Sequence, residues 1–150
     1  MPQSLSSLHV HLIFSTKQRS PLIADAVRDE LHAYMAAVLK GFDCVPRLIN
    51  SADDHVHVLF DLSRTIALSD VIKGVKMSSS RWIKTKGDEF RNFAWQAGYG
   101  AFAVSESNVT DVVADIGNQQ EHHRSRSFQE EFRLFLERHR IQFDERYVWD

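Results

Sequence analysis

Hydrophobic and polar positions along this chain switch between the period of a strand and that of a helix, and the switches mark the elements. Residues 8 to 16, LHVHLIFST, are β-branched and apolar and predict a strand. Ser20-Pro21 predicts a helix start, a capping serine followed by proline at the first helical position. Leu22, Ile23, Val27, Leu31, Tyr34, Met35, Val38 and Leu39 then recur at helical spacing, and Gly41 closes the helix. Residues 44 to 51 and 54 to 61 predict two strands joined at Ala52-Asp53 as a hairpin. A second helix carries Leu68, Val71, Ile72, Val75, Trp82 and Ile83 on its apolar face and stops near Gly87. Residues 101 to 105 predict a fourth strand, and Ser107 caps a third helix with Val109, Val112, Val113 and Ile116 inward. A last amphipathic helix runs from Phe128 to about His139.

Strand, helix, strand, strand, helix, strand is the order of the split βαβ, ferredoxin-like fold. The expected class is α+β: an antiparallel sheet with helices on one face, plus C-terminal helices. Residues 88 to 100 form the one long irregular loop. A chain of 150 residues without a linker or repeat is expected to make a single domain over 1–150. No apolar run is long enough for a membrane span, and no basic region precedes an apolar leader. Cys44 is the sole cysteine, which excludes an internal disulfide and a cysteine-based zinc cluster and fits a reduced, cytoplasmic protein.

Net charge is −2, a weak argument against nucleic acid, but the charge is unevenly spread. From Arg64 to Arg91 seven cations face three acids, a local +4. Lys73, Lys76, Ser80 and Lys84 lie along one side of the second helix, with Ser78, Ser79 and Arg81 beside them. Such a mixture suits phosphate contacts; a lysine-rich solvent face is the equal alternative. Of Phe90, Phe93, Trp95, Tyr99 and Phe102 nearby, most are core filling, and any left exposed can stack on unpaired bases.

Two histidine pairs carry the candidate chemistry. Period-2 alternation puts His55 and His57 on one face of a strand, where two imidazoles can hold one divalent ion. His9 and His11 repeat the spacing in the first strand, so the pattern alone does not decide. Asp53-Asp54 directly before His55 favours the second pair. Asp115, Gln119 and His122 stack on one ridge of the third helix. That ridge is either a solvated face or the other half of a metal site.

Asp54-His55-Val56-His57-Val58-Leu59-Phe60 resembles the histidine–hydrophobe–histidine motif of the small single-tyrosine transposases of bacterial insertion sequences, and of their domesticated relatives associated with repetitive extragenic palindromes. The likeness continues through His11 to Lys17, Lys76 to Lys84, Gly98 to Phe102, Asn118 to His123 and Phe143 to Trp149. It implies a ferredoxin-like core, Mg²⁺ or Mn²⁺ held by His55, His57 and Gln119, and recognition of single-stranded DNA hairpins. It further implies a homodimer with shared sites, and a nucleophilic tyrosine that forms a phosphotyrosine link one helical turn before the glutamine. That place is held here by Asp115. A carboxylate offers a metal a hard oxygen but no stable phosphodiester. Three functions follow: a strand-transferring transposase changed at its nucleophile, a non-catalytic hairpin-binding protein, or a metal-dependent DNA hydrolase with Asp115 as ligand. Whether the chain is an enzyme turns on this position. The residues expected to contact DNA are Lys73, Lys76, Arg81 and Lys84.

Overall fold

A computed structural model describes residues 2–118 and 127–150. Seven residues, His9–Ser15, form β1, and the irregular residues that follow lead into helix α1, Asp25–Gly41. Strands β2, Val45–Ser51, and β3, His55–Asp61, pair as an antiparallel hairpin closed by a bond from Ala52 N–H to the His55 carbonyl. Helix α2 spans Leu68–Lys84, β4 spans Gly100–Val104, α3 spans Val109–Gly117 and α4 spans Phe128–Arg138. The sheet order β2-β3-β1-β4, antiparallel where pairs are defined, is the ferredoxin-like arrangement. Pro46 lies on the edge strand β2, where its missing N–H removes no central ladder bond, and the register shifts beside it.

The two faces of the sheet differ in chemistry. Val10, Leu12 and Phe14 of β1 and Val56, Val58 and Phe60 of β3 point into the main core, against Val27, Leu31, Met35 and Leu39 of α1 and Val71, Ile72, Val75 and Ile83 of α2. The odd-numbered residues face the other way. His9, His11, Ile13 and Ser15 stand opposite Asp61, Leu59, His57 and His55. All four histidines are nevertheless buried, because this face is covered too. Phe128, Phe132 and Leu136 of α4 pack there with Ile13 and Phe102 in a second, smaller core. The C-terminal helix is therefore what makes the polar face an interior.

Several expected boundaries move. The first helix begins at Asp25, with Ala24 in extended conformation before it, and not at Ser20-Pro21. The local proline signal yields to a tertiary contact: Ile23 N–H donates to the Asp53 carbonyl, and the Ile23 side chain is fully buried. Ser107 lies in a 3-10 turn, and Asn108 precedes α3. Of the four apolar residues expected inward on α3 only Ile116 is buried, and Val113 is exposed. Ser79, grouped with the basic face, is instead fully buried; its hydroxyl donates to the Val75 carbonyl and accepts from the Trp95 indole N–H.

Candidate metal centre and nucleic-acid cleft

His55 and His57 are held rigidly. Both lie in the middle layer of the molecule, fully buried or nearly so, and their rings meet edge to face with centroids 5.3 Å apart. Asp54 Oδ1 accepts from His55 Nδ1 at 2.7 Å, which leaves Nε2 as the ring nitrogen turned toward the proposed centre. That nitrogen faces Glu131 Oε2 at 3.8 Å, and His57 Nε2 faces Glu131 Oε1 at 3.2 Å. Among the described residues, His55, His57 and Glu131 form the one group of three potential ligands whose donor atoms lie within 4.8 Å of one another. Ligands bound at 2.0–2.2 Å sit roughly 3.0–3.5 Å from their nearest neighbours. The spacing therefore suits a single ion, and two imidazoles with one carboxylate suit a transition metal better than Mg²⁺ alone.

Glu131 has no counterpart among the sequence candidates. Its signal was present: it lies on the ridge of α4 that carries Phe128 and Phe135, an acid three and four residues from aromatics on a helix otherwise read as core packing. Ser127 accepts from Glu130 N–H and fixes the first turn, and Phe128 and Phe132 anchor that turn over the sheet. Gln119 and His122 lie outside the described residues. Asp115 is not a member of the three-residue group; it lines a cleft of about 230 Å³ with His11, Phe102, Phe135 and His139. The end of α3 nonetheless belongs to the site face. Asn50 pairs across the hairpin with His57, and its amide donates to the Ile116 carbonyl at 2.9 Å.

The other histidine pair divides. His9 bridges carboxylates, Nδ1 to Asp61 at 2.5 Å and Nε2 to Glu106, and Arg47 also holds Asp61. Hydrogen bonds that Asp61 and then Glu106 accept from its ring raise the His9 pKa against the opposing effect of burial. Asp61 is pushed up by burial but held below its usual range by its bonds to Arg47 and His9. His11 instead reaches toward the candidate centre, its Nε2 2.9 Å from His57 Nδ1. Burial, reinforced by repulsion from His57, lowers His11 to about 3, so it is neutral at physiological pH.

The His9 clasp ties β1 and β3 to the turn ahead of α3, and its charge gives a pH signature. A raised folded-state value means stability fully present below the ordinary 6.5 and lost as pH rises through the folded value. Thermal melting is expected to weaken across that upper range, and His9→Gln to flatten the dependence. A profile identical in the variant would contradict this.

On the opposite side of the sheet, α2 and residues 93–99 enclose a cleft of about 600 Å³. Lys73, Arg81 and Lys84 line it and are exposed. Lys76 lines it as well, but its ammonium donates to the carbonyls of Gln96, Ala97 and Gly98 at 2.7, 3.2 and 2.7 Å. Burial lowers its pKa to about 8. It pins the loop, leaving the other three cations to face solvent. Tyr99 is 40% exposed, while Phe90, Phe93, Trp95 and Phe102 are buried. The loop ties this cleft to the histidine end of the sheet: Gln96 Oε1 accepts from Ser15 N–H, and Ser15 pairs with His55.

The family model for IS200-like transposases matches residues 4–119, most of the chain. The chain belongs to that family. No match is found among curated proteins. Two solved structures share the fold of this IS200-like protein. One, described as a candidate transposase from Deinococcus radiodurans R1, has TM-score 0.62 and 24% identity, covering 79% of this chain and 98% of that one. The other is a REP-associated tyrosine transposase bound to a REP hairpin, with TM-score 0.53 and 14% identity, covering 77% of this chain and 66% of that one. The family and the α+β fold expected from the residues are those found. No described helix is long and apolar enough to cross a membrane.

Proposed function

We propose that this transposase-family protein binds single-stranded DNA hairpins in the cytoplasm and holds a divalent ion, Mn²⁺ in preference to Mg²⁺, at His55, His57 and Glu131. The observation that carries the reading is the group of two buried imidazoles and one half-buried carboxylate, built from two distant parts of the chain. When bound, the ion supplies charge stabilisation and in-line orientation of a phosphate. The chain's own residues do the rest. Asp54 sets the His55 tautomer, and α4 shields the centre from bulk water. Lys73, Arg81 and Lys84 contact phosphates in the α2 cleft, with Tyr99 available to stack on an unpaired base. The loop from Gln96 to Tyr99 leads from that cleft toward the His55 end of β1 and β3. One domain thus carries both the DNA-binding surface and the metal centre.

Asp115 stands where the family resemblance puts a tyrosine, so nicking and rejoining through a phosphotyrosine is not expected of the natural chain. A homodimer with shared sites, as the family resemblance implies, belongs to this reading. Gln119, two residues past the end of α3 in sequence, is proposed as a further ligand.

Hairpin binding is expected to be steeply salt-dependent, because three phosphate contacts give roughly a 20-fold loss between 50 and 200 mM salt. Changing Lys73, Arg81 and Lys84 together to alanine should remove most of that dependence, measured by fluorescence anisotropy. Equal affinity for a plain duplex, or an unchanged salt slope in the triple variant, would contradict the proposed surface.

A further inference from the structure

We propose that His11 is a positioning residue for this centre, setting which nitrogen of His57 carries the proton and so whether Nε2 offers the ion a lone pair. The inference rests on the reading of His57 as a ligand and adds a residue to it. The two buried rings meet nitrogen to nitrogen, His11 Nε2 to His57 Nδ1 at 2.9 Å, with centroids 5.1 Å apart and planes tilted by 31°. Phe135 of α4 packs edge-on against His11 at 5.0 Å and limits its rotation. What Asp54 does for His55, His11 is placed to do for His57.

Two neutral imidazoles in this contact share one hydrogen bond, and that bond has two directions. In one, His11 Nε2–H donates to His57 Nδ1, and His57 Nε2 carries its proton on the side of Glu131, whose Oε1 lies 3.2 Å away. In the other, His57 Nδ1–H donates to His11 Nε2, and His57 Nε2 presents a lone pair on the side of Glu131. Each ring carries one proton in both arrangements. The proton that leaves His57 Nε2 is matched by one arriving at His11 Nδ1, so the pair as a whole neither gains nor loses charge. The first arrangement suits the ion-free centre and the second a ligating His57. A carboxylate partner at Nδ1 could serve only the second, because it accepts and cannot donate. Imidazole serves both, which gives a physical reason for a histidine at this buried place on β1.

The test uses the whole chain labelled with ¹⁵N in its imidazoles and titrated with Zn²⁺ as a diamagnetic probe. The nitrogen frequencies of His11 and His57 are expected to report a joint change of tautomer, both rings ending with the proton on Nδ1. Mn²⁺ calorimetry supplies the variants. His11→Phe keeps a ring but offers no acceptor, and should weaken binding roughly 10- to 100-fold. His11→Gln, whose amide can donate or accept, should restore it to within a few-fold. Natural-strength binding by His11→Phe, or a His57 tautomer unchanged by Zn²⁺, would overturn the role of His11, as would a loss that His11→Gln fails to rescue. Natural-strength Mn²⁺ binding by His57→Ala would instead overturn the ligand assignment on which the role depends.

Discussion

Asp115→Tyr is expected to convert a protein that forms no covalent link with DNA into one that does. Tyrosine attacks a phosphate and leaves a stable phosphodiester that a free hydroxyl can reverse, whereas an acyl phosphate from aspartate hydrolyses. Position 115 lies on α3 one residue before Ile116, whose carbonyl is held by Asn50, the cross-strand partner of His57. The helix therefore docks on the face that carries the histidines. Incubation with hairpin DNA and Mn²⁺, followed by a denaturing gel, should show an adduct for the variant and none for the natural chain. If the site is shared between two copies, a chain carrying both Asp115→Tyr and His57→Ala should regain adduct formation when mixed with the natural chain. An adduct from the natural chain, or none from Asp115→Tyr with metal and DNA still bound, would refute the assignment.

Gly100→Val should disturb the centre without touching a ligand. A Cβ at Gly100 would lie 2.4 Å from Cε2 and 2.8 Å from Cζ of Phe132, a contact no packed pair tolerates. Phe132 is buried in the second core and adjoins Glu131, so relieving the clash moves the residue that brings the carboxylate to the histidines. Overpacking of this kind costs about 1–3 kcal/mol. Stability should fall by that amount, and Mn²⁺ affinity should fall with it. Gly117→Ala is the control: a Cβ there meets nothing within 4 Å, and alanine in a helix gains about 0.5–1 kcal/mol over glycine. Equal behaviour of the two variants would show that α4 is not what seats the third ligand.

The sheet was legible in the sequence because period-2 alternation is a local signal. His9, His11, His55 and His57 all fall on the face that the pattern assigns them, and the hairpin places Asp54 beside His55 as the flanking acids suggested. Elements fixed by distant contacts were harder to read. Ser20-Pro21 has the chemistry of a helix start, yet the Ile23–Asp53 bond keeps that segment extended. Lys76 reads as a phosphate contact on a helical wheel and serves as a clip for three loop carbonyls. Glu131 was hidden for a related reason. Nothing local distinguishes an acid in an amphipathic helix from one that the helix carries into a buried histidine pair 74 residues upstream in His57. His9 and His11 look equivalent in sequence, and only the sheet register sends one to Asp61 and the other to His57.

Mn²⁺ titration calorimetry bears most directly on the proposed centre. The natural chain should bind one ion, the His55→Ala, His57→Ala double variant none, and Glu131→Gln roughly tenfold or more weakly. Binding at natural strength by the double variant would contradict the assignment of the histidines, and natural strength in Glu131→Gln would remove the third ligand.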